Sequence, residues 1–96
     1  MKRSMAHLLF LACLSLFPLL AHAEDLYVAQ SAAGAANGSS CANAFAVTFF
    51  NTAGNWDVGV GKISAGDTVH LCGTLTTALT VQASGTTGSP ITVRFE

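Results

Sequence analysis

Apolar and polar positions alternate in four short stretches of the chain, and each stretch reads as a β-strand. They are Asp25-Leu26-Tyr27-Val28-Ala29, Thr68-Val69-His70-Leu71, Leu79-Thr80-Val81-Gln82 and Ile91-Thr92-Val93-Arg94-Phe95. Successive strand side chains point to opposite faces. Val69 and Leu71 therefore share one face, and His70 is expected to turn away from the core with Thr68. Residues 41–51 fit two patterns. Ala42, Phe45, Ala46 and Phe49 fall at i, i+3, i+4 and i+7, which favours a short helix with Ser39 or Ser40 as its cap. The β-branched and aromatic content of Phe45 to Phe50 also suits a strand. Gln30 to Ser40 and Asn51 to Gly61 are small, polar and glycine-bearing, and are expected to be loops. The second loop holds Trp56, which is expected to anchor it to the core rather than to stack on a ligand.

The most apolar stretch has a different meaning. Lys2 and Arg3 precede a run from Leu8 to Leu20 that only Ser15 and Pro18 interrupt, and Ala21-His22-Ala23 follows. This order of charge, apolar segment and small residues is that of a cleavable secretory leader, cut before Glu24. A spanning helix would need about 20 apolar residues, more than this run has. A lipid-modified Cys13 would put the longer apolar segment after the cysteine, the reverse of what such a signal needs. The mature chain, 24–96, is expected to be secreted to an extracellular or periplasmic space, with no membrane association once the leader is gone.

Without the leader, 73 residues remain, enough for one small domain. Two basic residues (Lys62, Arg94) stand against five acidic ones (Glu24, Asp25, Asp57, Asp67, Glu96), a net charge of −3. There is no basic patch for nucleic acid. Two cysteines survive processing, and an even count in an exported chain suggests a Cys41–Cys72 disulfide. Two buried free thiols, or pairing with residues elsewhere, are the alternatives. Two cysteines and one histidine do not make a spaced ligand set, so no metal or other cofactor is expected.

A repeat follows from the strands. Gly66-Asp67-Thr68-Val69-His70-Leu71 aligns with Gly88-Ser89-Pro90-Ile91-Thr92-Val93 at a spacing of 22 residues, matching glycine to glycine and Val69 and Leu71 to Ile91 and Val93. Strand-and-turn repeats of this length suggest stacked solenoid coils.

These segments resemble the opening of right-handed parallel β-helix proteins of the pectate-lyase-like superfamily. The likeness lies in Gly66-Asp67-Thr68-Val69-His70-Leu71-Cys72-Gly73, in Leu79-Thr80-Val81, and in Ser84-Gly85-Thr86-Thr87-Gly88-Ser89-Pro90-Ile91-Thr92-Val93. It covers nearly all of the mature chain. It implies an all-β fold, with a first strand, loop and short capping helix over 24–62 and the first coil or coils of a β-helix over 63–96. It also implies further coils C-terminal to Glu96, so that the chain is the opening of a longer protein. The implied function is that of a protein acting on or binding extracellular polysaccharide, a lyase or glycoside hydrolase if the full-length protein is an enzyme, with pectin-like or other acidic glycans as the implied substrates. A non-catalytic surface or adhesion solenoid, and a small self-contained disulfide-stapled secreted domain, are the competing readings.

No catalytic residue carries over from the superfamily. Asp57 and Asp67 have no paired acid beside them, and Asp67 is expected to serve a turn through its side chain. His70 has no evident acid–base partner, so a general base is not expected there. Gly59-Val60-Gly61-Lys62 faintly suggests a phosphate loop, but that pattern needs glycine where Trp56 stands and Ser or Thr where Ile63 stands.

Overall fold

The computed structural model describes residues 23–96; the leader, apart from Ala23, lies outside the described residues. Strand β1, Asp25–Ala29, and strand β3, Thr68–Cys72, pair in parallel over five positions, from Asp25 against Thr68 to Ala29 against Cys72. Strand β4, Thr92–Phe95, pairs in parallel with the other edge of β3. The two-residue strand β2, Phe45–Ala46, pairs with Val28 and Ala29 on the far side of β1. The result is one parallel sheet of four strands in the order β2-β1-β3-β4.

Because the register is in step, alternate side chains form rows across the sheet. One face carries Leu26, Val69 and Val93 in one row and Val28, Leu71 and Phe95 in the next. Phe50, Trp56 and Ile63 pack against this face and complete the buried cluster, with Phe45, Phe49, Leu75, Leu79 and Ile91 half-buried around it. Trp56 closes the loop onto the core as its anchor. Its ring meets Phe50 edge-on at 4.9 Å, and its Nε1–H donates to the Phe50 carbonyl at 2.6 Å. Both the apolar surface and the polar tip of the indole are thereby satisfied.

Three sequence expectations need correction. First, a parallel β-helix is not shown: the fold is a small four-stranded parallel sheet with a little helix. Loops and short turns cover the apolar face where a coil would place further sheets. Second, Leu79–Gln82 is irregular rather than a strand. Side-chain amides take backbone groups in it and just before it: Asn51 Oδ1 accepts from Thr80 N at 2.8 Å and Asn51 Nδ2 donates to Ala78 O at 2.9 Å. Gln30 Oε1 does the same for Thr76 N at 2.8 Å and Thr77 N at 3.3 Å. Residues 76–80 are thus held by distant side-chain amides rather than by a strand ladder. Third, residues 41–51 adopt neither uniform alternative. A 3-10 turn at Cys41–Asn43 leads into β2, and helix α1 is the single turn Val47–Phe50. An isolated helix this short is marginal, and the free edge of β1 draws Phe45 and Ala46 into pairing instead. Nothing of this size caps a solenoid.

The repeat is real in kind but shifted in register. Val69 stands beside Val93, 24 residues on, and not beside Ile91. An even shift of two preserves which side chains face the core. At β4, however, the apolar rows run out into solvent. Val69 and Leu71 are 0% and 1% exposed, whereas Val93 and Phe95 are 39% and 73% exposed. Leu71→Ala is therefore expected to cost about 2–5 kcal/mol, against under ~1 kcal/mol for Phe95→Ala, since that ring has little burial to lose. Urea unfolding of the two variants checks the contrast, and equal losses would show that β4 is buried in solution.

Candidate functional site

The other face of the sheet is polar, and the parallel register assembles it. Asp25, Thr68 and Thr92 form one row, and Tyr27, His70 and Arg94 the next. His70 points away from the apolar core, as the alternation requires, yet it is only 9% exposed. Its neighbours on this face cover it. The Tyr27 ring lies flat on the imidazole, with centroids 4.4 Å apart and planes 12° from parallel. His70 Nε2 meets Asp25 Oδ1 at 2.8 Å, and His70 Nδ1 meets Glu96 Oε2 at 2.7 Å. Arg94 Nε reaches the same Glu96 oxygen at 3.3 Å.

A carboxylate can only accept. A histidine between two of them satisfies both only when both ring nitrogens carry protons. Hydrogen bonds to Asp25 and then Glu96 accordingly raise the His70 pKa above its ordinary 6.5, against the opposing effect of burial. The cluster balances two cations, His70 and Arg94, with two anions, Asp25 and Glu96. Chemically it is a tie between β1, β3 and the end of β4. In the protonated ring both N–H groups point at carboxylates.

The expectation that His70 lacks acid partners is thus corrected: it has two, from positions 45 and 26 residues away. Neither is visible in local spacing. The signal that finds them is the strand register, which sets the first row of the polar face beside the second.

The remaining sequence candidates are dispersed. Cys41 and Cys72 form a disulfide, with their Cα atoms 5.7 Å apart. It ties the turn at Cys41–Asn43 to the end of β3. Asp57 is exposed and accepts from the next backbone amide, Val58 N, at 2.7 Å. In the Gly59–Lys62 stretch, Lys62 N turns back to Gly59 O at 3.3 Å, which closes a turn rather than a phosphate cradle. Asp67 is completely buried and closes its turn: Oδ2 accepts from Ser64 N at 2.8 Å and from Ser64 Oγ at 3.0 Å. Among the described residues, no three His, Cys, Asp or Glu side chains are placed to hold a metal ion, and no helix is long and apolar enough to cross a membrane. No family model, curated protein or solved structure matches the chain, and nothing identifies it with the pectate-lyase-like superfamily its motifs resemble.

Two predictions follow from this geometry. His70 has a raised pKa in the folded state, so its contribution is complete below about pH 6.5. That contribution is lost as pH rises through the raised value. Unfolding free energy should fall over that window, and His70→Gln should flatten the dependence; urea titrations at several pH values read it directly. The disulfide closes a loop of 31 residues in sequence separation, worth about 3–4 kcal/mol in the chain-entropy model. The double substitution C41S and C72S should lower the urea midpoint correspondingly, and reductant should reproduce the effect in the wild type.

Proposed function

We propose that the protein is an exported, disulfide-stapled, non-catalytic module that binds extracellular polysaccharide through the polar face of its sheet. The observation that carries this reading is the row of planar groups Tyr27, His70 and Arg94, flanked by Asp25 and Glu96. Glycans are bound by groups of these types: flat rings against the C–H faces of sugars, and carboxylates and guanidinium groups on their hydroxyls. The His70 ties hold this row across three segments of the chain before any ligand arrives, so little ordering cost remains at binding. The doubly committed imidazole favours recognition over acid–base chemistry.

The ligand class is acidic. Arg94 spends its Nε on Glu96, and its side chain is 62% exposed. Its terminal nitrogens remain free to fork a uronate carboxylate in the two-point manner that guanidinium groups favour. The disulfide supports the exported setting, since such bonds persist in oxidising compartments.

Calorimetric titration of the protein with polygalacturonate, beside neutral dextran, tests the reading. Binding to the acidic polymer alone is expected, weakening as salt rises. Arg94→Ala should reduce affinity about tenfold, the equivalent of one charge-assisted contact. Equal affinity for both polymers, or an R94A variant that binds as the wild type does, would overturn it.

A further inference from the structure

Asp67 presents a problem that the polar face does not explain. Its side chain is 0% exposed, and its carboxylate accepts from Ser64 N, Ser64 Oγ and Glu24 N. All three donors are neutral as the chain stands. Among the described residues, no lysine, arginine or histidine lies within 4.0 Å of it, whereas Asp25 has His70, and Glu96 has His70 and Arg94. Buried charges are ordinarily paired, because desolvation otherwise costs several kcal/mol.

The neutral donor opposite Asp67 Oδ1 is the backbone nitrogen of Glu24, at 2.8 Å. This is the residue at which the leader pattern places the new N-terminus. Glu24 is itself held at several atoms. Its carbonyl accepts from Thr68 N at 2.9 Å, and its carboxylate accepts from Gly61 N at 3.2 Å. Ala23, one residue earlier, is exposed. Of the two residues flanking the expected cut, Ala23 is exposed and Glu24 is held.

We propose that hydrolysis of the Ala23–Glu24 bond creates the missing cation, and that the α-ammonium of Glu24 forms a buried ion pair with Asp67. The inference rests on the export reading above. A signal peptidase adds one water across the amide: the leader departs with the Ala23 carboxylate, and the Glu24 nitrogen becomes an amine that takes up a proton. A neutral donor with one N–H becomes a charged donor with three, at an acceptor already 2.8 Å away. Leader removal therefore completes the clasp joining the start of β1 to the turn before β3, and the protein reaches its full stability only after it has crossed the membrane.

The mature chain contains two amines, the α-amine and Lys62, so selective acylation reads the pair directly. The full 96-residue chain is expressed with its own leader in a secreting host, and the exported product is weighed by mass spectrometry. It is then treated with an acetylating ester at pH 7, folded and in urea. A product beginning at Glu24 is expected, with its α-amine acetylated at least tenfold more slowly in the folded protein than in urea. Asp67→Asn should abolish that protection. Ser64→Ala, which keeps the carboxylate and removes one neutral contact, should retain it. If Asp67→Asn does not fold, the wild-type ratio together with Ser64→Ala decides. An exported product that still carries Ala23 overturns the inference together with the expected cut, and a chain that is not exported overturns it together with the export reading. A product beginning at Glu24 whose α-amine reacts equally fast folded and unfolded overturns the inference alone.

Discussion

The in-step parallel pairing of β1 with β3 is the constraint from which the rest of the structure follows. Parallel neighbours cannot be joined by a tight turn, so the chain between them must cross from one end of the sheet to the other. That crossing here carries β2, α1 and the Trp56 loop, and it supplies the apolar cover for the sheet. The same pairing sets the rows. Leu26 and Val28 meet Val69 and Leu71 on one face, while Asp25 and Tyr27 meet Thr68 and His70 on the other. A slip of one residue would exchange these faces and bury the polar cluster.

Each end of the pairing has its own lock. At the start, buried Asp67 holds Glu24 while Thr68 N reaches back to the Glu24 carbonyl. At the finish, the disulfide fixes Cys72, the partner of Ala29, to the turn at Cys41. Between them His70 ties Asp25 to Glu96 across the polar face. A domain this small buries too little apolar surface to be secure by packing alone. One covalent and two ionic or hydrogen-bonded ties on a single strand pair offset that shortfall. Their positions also explain why the fold tolerates long irregular connections: register is enforced at both ends, and the loops need only reach.

How much of this could be read in the sequence depended on the range of the determining contacts. Strands β1, β3 and β4 are legible because alternation is a local signal, even though the burial of β4 does not follow it. Leu79–Gln82 carries the same alternation, yet the distant Asn51 captures its backbone. Phe45 and Ala46 sit on a helical stripe, yet the free edge of β1, far earlier in the chain, claims them. The solenoid expectation failed by the same route. It extended a local repeat into a long-range stacking pattern, while the register actually adopted is offset by two residues and the covering layer is made of loops. At the candidate site, the orientation of His70 was legible and its two carboxylate partners were not, since only the assembled sheet brings Asp25 and Glu96 to it.

The polar cluster illustrates how one arrangement can settle a question of chemistry. A histidine beside one carboxylate keeps its other nitrogen free, which is the arrangement that a general base needs. Adding the second carboxylate gives that nitrogen an acceptor as well and favours the protonated ring. The parallel row then places Tyr27 flat against the imidazole and Arg94 beside it, with most of the guanidinium in solvent. What remains accessible is a polar surface whose groups are held to one another across the sheet. The two contacts that hold the ring between Asp25 and Glu96 also join β1 to the end of β4 across β3, so the setting of the side chain and the register of the sheet are fixed together.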